Sequence, residues 1–196
     1  MFLPRTCPGC GALGAAPCPA CAADLRRAPS LPPPPHVDSC LALLAYEGVG
    51  RELVARLKYR NARSSLPFLA DRLATLVTAA VDVVTWAPTT AVRRRQRGFD
   101  QAELLARALA RRLRVPCRPL LARPPGRSQT GQPLDVRRAG PTFHPSRPSP
   151  SRVLLVDDVV TSGATVSAAA RTLKAAGADQ VHVVAAARTA PGRRRP

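Results

Sequence analysis

The sequence has few aromatic residues, few lysines and no long apolar run. Aromatics make up 4% of the 196 residues, so we expect a core built from Leu, Val and Ala. No apolar stretch reaches the roughly 20 residues that a membrane-spanning helix needs. Residues 1–6 lack the apolar core of a signal peptide. These absences predict a cytoplasmic protein that does not insert into a membrane, and in that compartment disulfides are not expected.

Nearly all of the positive charge is arginine. Lys58 and Lys174 are the only lysines, yet the formal net charge is +18. The planar guanidinium group binds phosphate oxygens in a bidentate way that lysine cannot reproduce. The excess therefore predicts a polyanionic partner such as a nucleic acid, a nucleotide or a diphosphate. A codon bias toward G and C would explain the same excess without any partner.

Composition divides the chain into four parts. Residues 1–27 hold four of the six cysteines, and residues 28–38 form a proline-rich connector. Residues 39–190 alternate strand-like and helix-like patterns, and residues 191–196 form a basic tail. We expect strands at 40–46, 81–86, 115–121, 153–156 and 181–187, and helices at 49–60, 66–80, 100–114 and 163–176. Residues 122–150 are rich in Pro, Arg, Ser and Gly, which predicts a long loop.

This order of elements predicts an α/β fold. Short apolar runs that alternate with helical patterns are typical of a mostly parallel sheet covered by helices on both faces. In such sheets, ligands bind where the strands end.

The strongest functional signal follows one of these runs. Val153–Val156 is apolar and predicts a buried strand, and Asp157 and Asp158 come directly after it. Carboxylates in this place can accept hydrogen bonds from sugar hydroxyls or hold Mg²⁺ indirectly. The next segment, Thr161-Ser162-Gly163-Ala164-Thr165, brings hydroxyls and backbone N–H groups to a helix start, which is a typical phosphate site. A strand end with a simple helix cap is the alternative, but a cap needs only one side-chain oxygen.

A second segment concentrates arginine. Arg93, Arg94, Arg95 and Arg97 fall within five positions after the strand that ends at Trp86. Four such charges repel one another in a packed core, so they need either solvent or an anion. Asp100 begins a helix, and Glu103 lies three positions later, as in a capping box.

The cysteines form two pairs. Cys7 and Cys10 are separated by two residues, as are Cys18 and Cys21. Two such pairs predict a closed, structural tetrahedral site for Zn²⁺, with iron as a second possibility and redox thiols as the alternative to a metal. Cys40 and Cys117 lie in apolar settings and are expected to be core residues.

The segment from Val153 to Thr165 resembles the phosphoribosyl diphosphate motif of type I phosphoribosyltransferases. This resemblance implies that Asp157 and Asp158, the expected catalytic residues, address the ribose hydroxyls. It also implies that Thr161, Ser162, Gly163, Ala164 and Thr165 surround the 5-phosphate. Mg²⁺ is expected to accompany the diphosphate.

Arg97-Gly98-Phe99-Asp100-Gln101-Ala102 resembles the Arg-Gly-Phe-Asn-Gln-Ala signature of the ComF family, with aspartate at position 100. Together with the four cysteines and Leu57-Lys58-Tyr59, the resemblance covers nearly the whole chain. It implies a role in DNA uptake during natural competence, with single-stranded DNA and DNA-uptake proteins as partners. Lys58, Thr89 and Arg97 are expected to bind the ligand. Gln129, Gly131, Arg137, Arg138 and Phe143 fall in the family's hood region, where Gly140 and Pro141 replace its usual Asn.

Three functions remain open from the sequence. The first is a ComF-like protein that binds phosphoribosyl diphosphate or a related ligand. The second is an active phosphoribosyltransferase in nucleotide salvage or synthesis that releases diphosphate. The third is a regulator that senses the ligand without turnover. The sequence identifies no acceptor base.

Overall fold

A computed structural model describes residues 6–57, 62–124 and 140–190. Its centre is a sheet of four parallel strands, and the expected mostly parallel α/β architecture is confirmed. The strands that form this sheet are Ser39–Ala45 (β1), Val83–Trp86 (β2), Arg152–Val160 (β5) and Gln180–Arg188 (β6). Their order across the sheet is β1, β6, β5, β2, so β5 lies between β6 and β2. Because the strands are parallel, their carboxyl ends lie at one edge.

Helices cover both faces of the sheet, as the sequence predicts. The helices of the described residues are Pro19–Ala23 (α1), Gly48–Arg56 (α2), Leu66–Ala74 (α3), Ala91–Arg97 (α4), Gln101–Leu113 (α5) and Ala164–Ala175 (α6). On one face, Leu73 of α3 and Leu109 of α5 pack with Leu154. On the other face, Leu173 of α6 packs with Leu155. None of these described helices is long and apolar enough to span a bilayer.

The helix predicted for residues 66–80 is shorter than expected. It ends at Ala74, and the Thr75 hydroxyl donates a hydrogen bond to the carbonyl of Arg72 at 2.8 Å. Val77 closes a turn by donating its N–H to the carbonyl of Ala74. The apolar periodicity continues past Ala74 because Leu76 and Val77 still pack against the core from this turn.

The strand predicted for residues 115–121 is also only partly correct. Cys117 forms a single parallel bridge with Val84 beside β2. A short antiparallel ribbon follows, made of Leu121–Ala122 (β3) and His144–Pro145 (β4). Thr85, which is fully buried, accepts a hydrogen bond from the N–H of Leu120 at 3.3 Å and so fixes this segment to β2.

The arginine-rich segment forms a short helix, α4. Thr90 caps its start by accepting a hydrogen bond from the N–H of Arg93 at 3.3 Å. Gly98 ends it with a φ of 80°, a left-handed conformation that favours glycine. No residue of α4 is buried. The helix therefore keeps its charges in solvent, which is what their mutual repulsion requires.

The proline-rich connector packs against the domain. Just before it, the N–H of Ala45 donates to the carbonyl of Arg26, and Arg27 forms an isolated antiparallel bridge with Leu44. The N–H of Ala28, the first residue of the connector, donates to the carbonyl of Leu43, so the chain enters the connector alongside β1. Farther along, Pro34 lies against Gly163, where an added Cβ atom would be 2.6 Å from the proline Cγ. The connector therefore reaches the loop that the sequence singles out for phosphate.

Candidate functional site

Asp157 is a buried residue near the edge of the sheet at which the strands have their carboxyl ends. Strand β5 continues through both carboxylates to Val160, and Asp157 pairs in register with Ala185 of β6. The residue is 9% exposed, and its Oδ1 accepts a hydrogen bond from the N–H of Asp158 at 2.8 Å. Burial first, and the negative charge of Asp158 second, raise the pKa of Asp157 well above its ordinary value of 3.8. Asp157 therefore favours a proton or a compensating ligand over a bare charge.

Asp100 is a second buried carboxylate at the same edge. Its Oδ1 accepts a hydrogen bond from the N–H of Ala102 at 3.0 Å, which caps α5 as the sequence predicts. Its Oδ2 accepts from the N–H of Thr89 at 2.7 Å. Burial raises its pKa even though these N–H groups oppose the shift. Asp100 thus connects the segment after β2 to the start of α5.

Three arginines face these carboxylates from two different elements. Arg93 and Arg97 belong to α4, and Arg123 follows β3. The Arg97 Nη1 donates to the Oε1 of Gln101 at 3.0 Å, which fixes its guanidinium. The Arg123 guanidinium carbon lies 5.8 Å from the centre of the Phe143 ring, within the range of a cation–π contact. Burial lowers the pKa of Arg123, and the positive charge of Arg93 adds to the effect.

The segment predicted to bind phosphate spans the turn between β5 and α6 and the first two residues of α6. Gly163 has a φ of 79° and precedes the first residue of α6. The Ser162 hydroxyl oxygen accepts a hydrogen bond from the N–H of Ala164 at 3.4 Å, whereas the side chains of Thr161 and Ser162 are exposed. The first N–H groups of a helix lack intrahelical partners, so this turn presents donors suited to an anion.

A cavity of about 200 Å³ joins these groups. Its polar lining brings together residues that are far apart in sequence: Thr89, Arg93, Arg97, Asp100, Gln101, Arg123, Asp157, Asp158 and Thr165. Five of these residues were predicted from the sequence to belong to the site: Thr89, Arg97, Asp157, Asp158 and Thr165. Thr161, Ser162 and Gly163 belong to the adjoining turn and Ala164 begins α6, and none of the four lines the cavity.

The structure adds residues that the sequence reasoning did not place in the site. In the sequence, Arg93 is one of four arginines in a charged segment, and Asp100 is a helix cap and the aspartate of the Arg-Gly-Phe-Asp-Gln-Ala pattern. Gln101 was noted only within the Arg-Gly-Phe-Asp-Gln-Ala pattern. Arg123 lies in a segment without periodicity, and no local signal distinguishes it from other arginines. Only the structure shows that Arg123, which follows β3 of the ribbon, lines the cavity.

Several expected residues lie outside the described residues. These are Lys58, Tyr59, Gln129, Gly131, Arg137, Arg138 and the basic tail 191–196. Gly140 of the hood region is described, and it packs on the first turn of α6. An added Cβ atom at Gly140 would lie 2.8 Å from the carbonyl oxygen of Ala164.

The four N-terminal cysteines converge on one point. The Sγ atoms of Cys7, Cys10, Cys18 and Cys21 all lie within 4.8 Å of one another, and those of Cys10 and Cys18 are 3.7 Å apart. Zn–S bonds of about 2.3 Å give sulfur–sulfur distances of roughly 3.8 Å in a tetrahedron. The cluster therefore fits a metal ion such as Zn²⁺.

Hydrogen bonds within the cysteine cluster favour a thiolate. Burial alone would raise the pKa of Cys7, but N–H donors, the first of them from Cys18 at 3.3 Å, outweigh burial and lower it to about 6. Burial and the neighbouring sulfurs raise the pKa of Cys21 to about 12. Metal binding requires deprotonated sulfurs, and four thiolates this close would repel one another, so a metal ion such as Zn²⁺ would supply the compensating charge.

Sequence comparison shows which family the C-terminal part of the chain resembles. Residues 100–196 match the phosphoribosyl transferase domain family. This range contains the Asp157–Thr165 segment, the cap residue Asp100 and the sheet strands β5 and β6. Residues 100–196 are thus similar to a phosphoribosyltransferase domain. No curated protein sequence matches the chain significantly.

Several solved structures are similar to this chain. The glutamine phosphoribosylpyrophosphate amidotransferase from B. subtilis is 23% identical, with a TM-score of 0.48 over 67% of this chain and 30% of that one. An allosteric regulatory enzyme of purine biosynthesis gives 22% identity with the same TM-score and coverage. The purine phosphoribosyltransferase from Pyrococcus horikoshii is 16% identical, with a TM-score of 0.37 over 74% and 91%. The chain thus aligns with less than a third of the first two proteins.

Proposed function

We propose that the cavity binds 5-phosphoribosyl diphosphate. The observation that supports this most is the convergence of Asp157, Asp158 and Thr165 with three arginines on one cavity. The ligand carries a ribose diol between two anionic groups. The cavity offers carboxylates beside two separate sets of anion-binding groups, so the pattern of charge and hydrogen bonding is complementary.

Each part of the ligand has a matching part of the site. Asp157 and Asp158 accept hydrogen bonds from the ribose hydroxyls, and the turn from Thr161 to Thr165 surrounds the 5-phosphate. Arg97 and Thr89 lie on the β2 side of the cavity and serve the diphosphate. The ribose diol is also the group that reduces the cost of burying Asp157, because its hydroxyl protons replace water as hydrogen-bond donors.

Mg²⁺ fits the same assignment. The ion prefers carboxylate, phosphate and water oxygens, and Asp157 and Asp158 are the acidic residues that line the cavity beside the expected ribose. Bound Mg²⁺ would neutralise part of the charge of the diphosphate. The aspartates would hold it indirectly, through water or the ribose oxygens.

Isothermal titration calorimetry on the full chain tests the binding proposal. Phosphoribosyl diphosphate with Mg²⁺ is titrated into the wild type, Asp158→Asn and the control Asp179→Asn. Asp179 is exposed and also accepts a hydrogen bond from a hydroxyl, that of Ser151 at 2.6 Å. A charge-assisted hydrogen bond contributes about 1.5–3 kcal/mol, so Asp158→Asn should bind at least about tenfold more weakly. Equal affinities of all three proteins, or no binding by the wild type, would contradict the proposal.

Whether the protein also catalyses transfer is a separate question, which a diphosphate-release assay on the same protein answers. In a transferase, the C1–diphosphate bond of the ribose breaks while an acceptor nitrogen forms the new bond, and Asp157 or Asp158 is the nearest candidate base. The arginines would stabilise the negative charge that develops on the leaving diphosphate. Release of diphosphate from labelled substrate with candidate bases would demonstrate transfer. Binding that Asp157→Ala abolishes, without release by any base, would support a ligand-sensing regulator.

A second proposal concerns single-stranded DNA and a ComF-like role in DNA uptake. It is supported by the exposed arginines of α4, where Arg93, Arg94 and Arg95 all reach solvent. Arginine contacts to phosphates give affinity that falls steeply with salt, and the shortage of aromatics predicts weak binding. Fluorescence anisotropy with a labelled oligonucleotide at 50 and 200 mM salt checks this. Affinity that does not change with salt would argue against it.

A further inference from the structure

Arg188 is a buried arginine at the carboxyl end of β6. It is 5% exposed, and it pairs in register with Val160, the last residue of β5 before the turn that leads to α6. Among the residues that the structure describes, no carboxylate oxygen lies within ion-pair distance of its guanidinium, and its Nε has no hydrogen-bond partner. A buried charge without a counter-ion is costly, which makes Arg188 a candidate functional residue.

The hydrogen bond that the structure gives the Arg188 side chain is to the proline-rich connector. Its Nη2 atom donates to the carbonyl oxygen of Pro32 at 3.4 Å. Farther along the connector, Asp38 accepts a hydrogen bond from the N–H of Val181 at 2.7 Å and forms an ion pair with Lys174 of α6 at 3.0 Å. The connector is therefore attached to the domain on both sides of Pro34.

Between these two attachments, Pro34 lies against the turn between β5 and α6. A Cβ atom added to Gly163 would be 2.6 Å from the Cγ and 3.1 Å from the Cβ of Pro34, so the two backbones approach closely. A second segment packs on the same turn, because a Cβ atom added to Gly140 would lie 2.8 Å from the carbonyl oxygen of Ala164. The turn that is proposed to surround the 5-phosphate is thus confined by segments from two other parts of the chain.

We propose that Arg188 is a positioning residue that holds the connector against this turn, and that the connector preorganises the turn for the 5-phosphate of the ligand. This inference rests on the proposed binding of phosphoribosyl diphosphate. An anion at a helix start needs several N–H groups that point to one place, and a turn that is already ordered loses less entropy on binding. The connector precedes residue 100, where the match to the phosphoribosyl transferase family begins. The N-terminal part of the chain would therefore contribute to ligand affinity without touching the ligand.

Calorimetry with two probes tests the role of the connector: phosphoribosyl diphosphate with Mg²⁺, and inorganic diphosphate with Mg²⁺, which lacks the ribose 5-phosphate. The variants are Pro34→Gly and the control Pro35→Gly, which changes an exposed neighbour in the same way. Pro34→Gly should weaken binding of phosphoribosyl diphosphate about threefold to tenfold, since the turn must then be ordered when the ligand binds. Binding of inorganic diphosphate should change by less than about twofold. Pro35→Gly should bind both probes as the wild type does.

A double-mutant cycle tests whether Arg188 acts through the connector. Arg188→Gln should show the same selective loss as Pro34→Gly, in a protein that scanning calorimetry shows to be folded. The double variant should then bind phosphoribosyl diphosphate no more weakly than Arg188→Gln alone, because both changes release the same contact. Additive losses would mean that Arg188 acts on the ligand by another route and would overturn its positioning role.

Pro34→Gly covers the case in which Arg188→Gln unfolds, because Pro34 is only partly buried. Wild-type affinity in Pro34→Gly, or an equal loss for both probes, would overturn the inference while leaving the proposed function intact. A wild-type protein that does not bind phosphoribosyl diphosphate would overturn the proposed function itself.

Discussion

Replacing Asp157 with asparagine should stabilise the protein while it weakens ligand binding. Asp157 is 9% exposed, and the negative charges of Asp158 and Asp100 both disfavour ionisation of its carboxyl group. In Asp157→Asn the Oδ1 atom keeps the hydrogen bond from the N–H of Asp158, and the amide group can donate to the Asp158 carboxylate. The variant thus removes the buried charge and retains the local hydrogen bonds. Relief of such a group at a binding site contributes about 1–2 kcal/mol.

The stabilisation should depend on pH in a defined direction. The pKa of Asp157 is raised in the folded protein, so the folded state holds a proton that the unfolded state loses above about pH 4. The wild type therefore loses stability as pH rises from that point toward the folded-state pKa. The variant lacks this loss. The difference in the free energy of unfolding between the variant and the wild type should therefore be near zero at pH 4 and largest at neutral pH.

Differential scanning calorimetry without ligand between pH 4 and pH 8 measures this difference. For a chain of this length, 1–2 kcal/mol corresponds to an increase in Tm of roughly 3–6 °C at neutral pH. Asp82→Asn provides a control of opposite sign, because hydrogen bonds from Arg152 lower the pKa of Asp82. That variant should lose stability relative to the wild type at neutral pH, and the loss should shrink as the solution is acidified. An Asp157→Asn protein that melts at or below the wild-type Tm at pH 7 would refute the reasoning.

Three further predictions concern the rest of the structure. Cys10→Ser should lower the amount of bound zinc, measured by atomic emission. It should also make residues 6–27 sensitive to protease, because this segment has little core of its own. Full zinc content in the variant would contradict a four-cysteine site. Gly163→Ala should lower the free energy of unfolding by about 1–3 kcal/mol in urea titrations, since its φ is 79° and the new Cβ meets Pro34; no change would show that the connector yields easily. Thr85→Val should cost about 1–3 kcal/mol, because the buried N–H of Leu120 loses its acceptor; the exposed Thr75→Val should cost less.

The elements with strong periodicity were predictable from sequence. Val153–Val156 is a continuous apolar run, and its strand lies at the centre of the sheet between β2 and β6. Asp100 was expected to cap α5 and does so through the N–H of Ala102. The end of α3 was not predictable, because apolar spacing continues past Ala74 although the backbone has already turned. Periodicity reports which side chains reach the core, not whether they reach it from a helix or a turn.

The candidate site was likewise predictable from the sequence only in part. A short contiguous segment, Asp157 to Thr165, revealed its chemistry from sequence because carboxylates, hydroxyls and a glycine follow one another along a strand end. The arginine side of the cavity could not be derived so directly. Arg123 follows the β3 strand of the ribbon and contacts Phe143, and Arg93 lines the cavity from α4, a helix that Thr90 caps and Gly98 ends.

The sequence alone determined the α/β class, the Asp157–Thr165 segment and the two cysteine pairs, because each depends on residues close together in the chain. Only the tertiary structure decided which of the many arginines share a cavity with the aspartates. It also decided that the connector at Pro34 rests on Gly163. Charge along a chain records how many cations exist, whereas the electrostatics of a site depends on distances and burial that arise only when separate elements pack together.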